Sequence, residues 1–262
     1  MPKQRLDTLL TERGLLPTRS RAAASVMAGQ VRVGPDRRRA SKPSEMVDSA
    51  VQLDVDRPPP YVSRGGIKLA NALDAAGLDP AGRDTLDVGA STGGFSDCLL
   101  QRGAARVTAV DVGYGLLDLR LREDPRVTVL ERVNARHLEP AQLPYAPELI
   151  TLDVSFISLT RVLPAVLACA TERFDALAMI KPQFEVGRAR VGKGGVVRDV
   201  AARRDALVAV SESVLGRGYS VLGLYTSGLP GPKGNRETFV QVAEAGRSGP
   251  PDLQALAREV EP

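Results

Sequence analysis

The spacing of apolar and polar positions changes character near residue 57. Before that point Leu6, Leu9 and Leu10 recur at helical spacing behind Arg5. Thr18 or Ser20 is placed to cap a second helix over 21–28, which Gly29 ends. Val31-Arg32-Val33 and Val51-Gln52-Leu53-Asp54-Val55 alternate as short strands do. The pattern predicts a two-helix, few-strand module of about 55 residues, small but able to fold alone. Arg57-Pro58-Pro59-Pro60 then favours a stiff extended connection, because proline continues neither a helix nor a central strand.

Beyond the prolines strand and helix patterns alternate. Strands are expected over 85–88, 106–111, 127–130, 149–153, 176–180, 219–225 and 238–242, and helices over 68–76, 94–102, 159–170 and 199–217. Repeated βα units imply an α/β fold with a seven-stranded, mostly parallel sheet that binds ligands at the carboxyl ends of its strands. The last two strands follow one another without a helix and are expected as an antiparallel pair at the sheet edge. The expected organisation is a small α+β domain over 1–57, a linker over 58–63, a Rossmann-like domain over 64–246 and a flexible tail over 247–262 with a short helix at most.

Composition narrows the chemistry. Of 262 residues, 43% are hydrophobic and 25% charged, enough for a sizeable core. Aromatic residues are only 4%, with no Trp, which argues against an RNA binder built on a sheet of stacking aromatics. The single histidine, His137, excludes a metal site that needs two histidines and weakens any Ser-His-Asp scheme. Two cysteines, Cys98 and Cys169, make no disulfide framework, so a reduced cytoplasmic protein is expected. MPKQRLDTLL does not read as a signal peptide, and the longest aliphatic run, 162–170, contains Pro164 and falls far short of the roughly 20 residues that cross a bilayer. Neither a metal nor a membrane partner is expected.

Charge is unevenly placed. Residues 1–44 hold ten Lys/Arg against three Asp/Glu, while the whole chain carries only +4. A basic segment on a near-neutral body suits a polyanion such as RNA or DNA, or is simply a solvated basic surface. The segment RLDTLLTERGLLPTRSRAAASVMAGQVRVG resembles the S4 RNA-binding domain in its RLD-x-LL opening, its SR-x-x-A second helix and its G-x-V-x-V hairpin. The resemblance implies that Lys3, Arg5, Arg19, Arg21 and Arg32 face RNA phosphates. Gly34-Pro35-Asp36 stands where that family usually has an Asn-Gly turn, and Arg37-Arg38-Arg39 is expected as a mobile loop in weak contact with phosphate.

The first βα turn of the body reads TLDVGASTGGFSDCLL. Gly89, Gly93 and Gly94 permit a tight turn and a close ligand, or serve packing alone. A dinucleotide fingerprint would need glycine where Ser91 stands, which counts against a nicotinamide-dependent dehydrogenase, and no P-loop Lys-Ser/Thr pair opens the helix. Asp87, at the end of its strand, suits an ammonium group; Asp111, ending the next, suits the two hydroxyls of a ribose; Asn134 suits an adenine. An amino-acid ammonium and a ribose without phosphate point to S-adenosylmethionine, with Phe95 and Asp153 as further cofactor contacts.

Asp153 lies at the mouth of the fourth strand, and Lys181 directly follows the fifth in ALAMIKPQFE. Desolvation beside an apolar strand favours a neutral amine there, and a nearby carboxylate favours the ammonium. Taken singly, Lys68 and Glu237 read as surface charges and Asp153 as a strand-end cap. Together with Lys181 they resemble the Lys-Asp-Lys-Glu tetrad of FtsJ-like RNA ribose 2′-O-methyltransferases. YVSRGGIKLANAL, LDVGASTGGFSD, AVDVGYGLL, LDVSFISL, IKPQFEVG, GGVVRD and GPKGNRETF, taken with the first domain, resemble the TlyA-type family of ribosomal RNA methyltransferases, historically called haemolysins. That resemblance implies ribose methylation of ribosomal RNA, free or in subunits, with cytidine as the target. Arg64, Arg188 and Lys193 are the candidate RNA contacts in this domain, the last two on the VGRARVGKGG loop, which otherwise reads as a solvated loop. The competing readings are a membrane-active haemolysin-like protein and a non-catalytic RNA-binding protein.

Overall fold

The computed structural model describes residues 2–56, 59–250 and 252–262, so Arg57 at the end of the expected first domain, Pro58 of the expected linker and Pro251 of the expected tail lie outside the described residues. The chain divides into two compact units, residues 1–59 and 60–262.

In the first unit β1 (Lys3–Arg5) leads into α1 (Leu6–Glu12), followed by α2 (Arg19–Met27), β2 (Val31–Val33), β3 (Arg38–Arg39), β4 (Met46–Asp48) and β5 (Leu53–Val55). Thr18, not Ser20, caps α2: its hydroxyl accepts from the Arg21 N–H at 3.2 Å. Leu6, Leu9 and Leu10 of α1 bury against Ala22 and Val26 of α2 and against Val31 and Val33. Strand β2 pairs with both β3 and β5, and β1 pairs with β4. Arg38 and Arg39 are therefore in a strand and not in the loop expected, while Arg37 stays in the turn at φ +52°. Gly34, at φ +80°, supplies the left-handed residue that an Asn-Gly turn would provide, and Arg37 N donates to Gly34 O at 3.0 Å, closing the hairpin.

The second unit runs α3 (Arg64–Ala76), β6 (Asp84–Val88), α4 (Gly94–Gln101), β7 (Arg106–Asp111), α5 (Leu119–Arg122), β8 (Val127–Glu131), β9 (Leu149–Leu152), α6 (Leu159–Leu167), β10 (Asp175–Ile180), α7 (Pro182–Glu185), α8 (Val200–Leu215), β11 (Ser220–Thr226), β12 (Thr238–Ala243) and α9 (Leu253–Val260). Its seven strands lie in the order β11-β12-β10-β9-β6-β7-β8. The alternation of side chains along β10 explains the layering: Ala176, Ala178 and Ile180 join one buried cluster with α6 and α8, while Leu177 and Met179 join another with α3 and α4. Helices thus cover both faces. Strand β12 is antiparallel to β10 and β11 and sits between them, so of that pair β11 is the edge strand, and β8 forms the opposite edge of the sheet.

Two expectations are corrected here. Helix α3 begins a turn earlier than 68, because the Ser63 hydroxyl accepts from Gly65 N at 3.3 Å and caps it. The tail, expected to be flexible with a short helix at most, holds the eight-residue α9, capped by Asp252; what differs is that Leu253, Leu256 and Val260 pack against the core and Ala257 is buried.

Candidate active site

The turn after β6 is shaped by backbone proximity. Gly89 adopts φ +82°, and a Cβ there would lie 2.5 Å from the Asp153 carbonyl oxygen. At the position where a dinucleotide fingerprint would carry glycine, Ser91 itself takes a left-handed conformation, φ +49°. Its N–H donates to Asp111 Oδ2 at 2.8 Å, and Gly113 N donates to Asp111 Oδ1 at 2.6 Å. Each carboxylate oxygen keeps a second lone pair for a ligand hydroxyl. Asp111 lines a cavity of about 360 Å³ with Gly89, Ser91, Asn134 and Asp153, walled by Val110, Val112, Leu116, Val133, Ile157 and Val162. An apolar slot with a carboxylate at its rim fits a nucleoside. Asn134 is in that lining while its Oδ1 accepts from Arg136 N at 3.1 Å.

Asp87 is not where the sequence led us to expect it. Its side chain is fully buried, does not line the cavity, and accepts from the Ser96 hydroxyl at 2.6 Å and the Thr151 hydroxyl at 3.4 Å. A strand-end aspartate can point outward to ligand or inward between helix and strand, and the two hydroxyls draw it inward. Burial, and then the neighbouring Asp153, push its carboxyl up to about 7. Phe95 is buried against Phe239, ring centroids 5.8 Å apart, and borders a second cavity with Gly94. Gly93, at φ +94°, lines neither cavity and serves the packing of Leu117 and Leu121.

That second cavity, about 420 Å³, brings Lys68, Asp153, Lys181 and Glu237 together and meets the first at Gly89, Ser91 and Asp153. Sheet register does most of this. Leu152 pairs with Val88 and with Ala178, and Ile180 pairs with Thr238. The residues next along the chain, Gly89, Asp153, Lys181 and, on the reversed strand, Glu237, therefore emerge side by side at the same sheet end. Lys68 comes from α3. The four form two pairs. Lys68 Nζ donates to Glu237 Oε2, with 7% and 2% of the two side chains exposed. Lys181 Nζ lies 2.5 Å from Asp153 Oδ1 and donates to the Ser155 hydroxyl at 2.9 Å. Asp153 Oδ1 has no directed hydrogen bond, so its contact with Lys181 is an ion pair only. Sequence reasoning missed Ser155, although its place two residues after Asp153 in LDVSF was a usable signal.

The candidate RNA-binding residues are not equivalent. Asp7 is paired with Arg5 at 2.7 Å and with Arg19 at 3.2 Å, and the hydrogen bond from Arg5 foremost holds its carboxyl down at about 2. Arg32 is paired with Asp56 at 2.6 Å. Arg21 lines a broad groove of the first unit with Gln30 and Arg37. In the second unit Arg64 donates to the Pro230 carbonyl and lines the cavity that holds the four polar residues. Arg188 and Lys193 are exposed, but the loop between them is anchored: Arg190 pairs with Asp205 at 2.8 Å, and Gly192 bridges to Val196.

Residues 61–243 match the FtsJ-like methyltransferase family. The chain belongs to that family. Residues 4–51 match the S4 domain, in agreement with the helix-hairpin core of the first unit. The 16S/23S rRNA (cytidine-2′-O)-methyltransferase TlyA of Mycobacterium tuberculosis is 47% identical over 240 residues, covering 91% of this chain and 89% of its own. Hemolysin A of Brachyspira hyodysenteriae is 35% identical over 89% of this chain and 97% of its own. A solved structure from Streptococcus thermophilus, also described as a hemolysin, superposes with a TM-score of 0.74 at 38% identity, covering 99% of this chain and 96% of that one. The matched residues contain the whole seven-stranded sheet and the cleft at the carboxyl ends of β6, β7, β9 and β10. Among the described residues no helix is long and apolar enough to cross a membrane, and no group of three His, Cys, Asp or Glu side chains is placed to hold a metal.

Proposed function

We propose that this chain transfers a methyl group from S-adenosylmethionine to the ribose 2′-hydroxyl of cytidine in ribosomal RNA, in the cytoplasm. One observation carries the reading: two lysines and two carboxylates from four separated segments share a single cavity that opens onto the nucleoside-shaped slot at Asp153. In the slot, Asp111 would hold the ribose and the apolar walls the adenine. The cofactor, when bound, supplies an electrophilic methyl on a sulfonium, so the difficulty left to the protein is a weak hydroxyl nucleophile.

Lys181 Nζ, after giving up its own proton to solvent, accepts the 2′-hydroxyl proton, or as the ammonium polarises that hydroxyl, and Asp153 favours the ammonium that proton transfer restores. Ser155 fixes the direction of the amine. Lys68 and Glu237, locked to one another, hold the hydroxyl and Lys181 in line, and orientation supplies much of the acceleration. Arg64, Arg188 and Lys193 meet the RNA backbone near the cavity, and Lys3, Arg5, Arg19, Arg21 and Arg32 add affinity from the first unit.

The test is Lys181→Ala. Methyl transfer is lost while calorimetry with S-adenosylmethionine is nearly unchanged. Full activity in that variant removes Lys181 from the reaction, and a wild-type chain that binds RNA but takes up no cofactor is a non-catalytic RNA-binding protein.

A further inference from the structure

A second charged cluster lies outside the lining of the two cavities, and nothing in the proposed reaction uses it. Glu261, which follows α9, is 2% exposed, and Arg203 of α8 is 8% exposed. Arg203 Nε donates to Glu261 Oε2 at 2.9 Å, and one Arg203 Nη reaches the carbonyls of Val197 at 3.3 Å and Arg198 at 2.8 Å. Arg204 Nε donates to the Glu261 carbonyl at 2.7 Å. Glu261 Oε2 also receives Arg236 at 3.5 Å, and Arg236 is the residue before Glu237.

The cluster closes into a ring through Asn235, itself 3% exposed. The Asn235 amide donates to Gly195 O at 2.8 Å and accepts from Val197 N at 2.9 Å, while its backbone carbonyl accepts from Gly231 N at 2.8 Å. Gly231 packs directly on the Glu237 carboxylate, where a Cβ would collide with Oε1. One buried carboxylate therefore ties together the segment after the basic 188–193 loop and the turn that delivers Glu237.

We propose that Glu261 is a positioning residue for methyl transfer, acting through Arg203, Arg236 and Asn235 to fix the backbone of residues 231–237 and so the placement of Glu237 against Lys68. Burying two charges gains little net stability over an apolar pair of the same volume. What the pair adds is directed contacts, and those contacts end on the loop beside the cavity. The inference rests on the role given to Glu237 above.

The experiment measures backbone hydrogen exchange and steady-state transfer in the full chain for wild type, Glu261→Gln and the apolar double variant Arg203→Met/Glu261→Met. In Glu261→Gln, exchange at the Val197 and Gly231 amides accelerates by about tenfold or more while the amides of β6 and β9 keep their protection. Its kcat falls by roughly 10–100-fold, with KM for RNA and cofactor within about twofold. The double variant removes the unpaired buried charge and recovers the melting temperature, yet keeps the fast exchange and low kcat. Wild-type exchange at those amides in either variant, or recovery of kcat together with stability in the double variant, overturns the proposal. The exchange readout decides this clamp even if the chain methylates no RNA.

Discussion

Lys68 and Glu237 stand 169 positions apart in the chain and form an ion pair that is almost wholly withdrawn from water. Removing one partner leaves the other as an uncompensated buried charge. Glu237→Ala is therefore expected to destabilise the fold by about 3–5 kcal/mol in denaturant melts. Lys68→Met/Glu237→Leu recovers most of that loss, because two apolar side chains need no partner, but it recovers no methyl transfer. A single variant as stable as wild type would show that the pair is solvated.

Asp87 gives a pH dependence of definite sign. Its folded-state carboxyl titrates at about 7, above the ordinary carboxylate range, because burial and Asp153 both oppose its charge. Between about pH 4 and pH 7 the native state then holds a proton that the unfolded chain has released, so this group's contribution to stability falls as pH rises through that window. Asp87→Asn, still able to accept from Ser96, flattens the slope. Chemical denaturation at a series of pH values reads it, and an unchanged slope would mean that Asp87 ionises normally.

For the first unit the measurable quantity is salt dependence. Arg21 lines the groove of that unit, whereas Arg5 and Arg19 share Asp7. Arg21→Ala should weaken binding to ribosomal RNA across sequences and reduce the log-log salt slope by about 1, leaving cofactor affinity alone. An unchanged slope would take Arg21 off the phosphate-contacting surface.

The ease of reading the site in the sequence follows how local each signal is. Asp111, Asp153 and Lys181 each end or follow an apolar strand, so their place at the mouth of a parallel sheet was legible from periodicity alone. Lys68 and Glu237 were not legible that way; apart from family resemblance each reads as a surface charge. Their meeting depends on β12 running backwards between β10 and β11, which sets Thr238 opposite Ile180. Asp87 shows the opposite failure: its position in the strand was readable, but its direction is decided by Ser96 and Thr151, nine and 64 positions away. Strands of two or three residues, such as β3 and β4, carry too little alternation to stand out. A short helix in the tail was readable, but its docking was not, because the few apolar residues of α9 make sense only against the face of α8 and β11.

Most direct is transfer of labelled methyl from S-adenosylmethionine to purified ribosomal subunits and to free ribosomal RNA, followed by digestion to nucleosides. Label recovered as 2′-O-methylcytidine, and absent with Lys181→Ala, is the predicted result. Label on a base, or none on either substrate with cofactor bound, would contradict ribose methylation by this cleft.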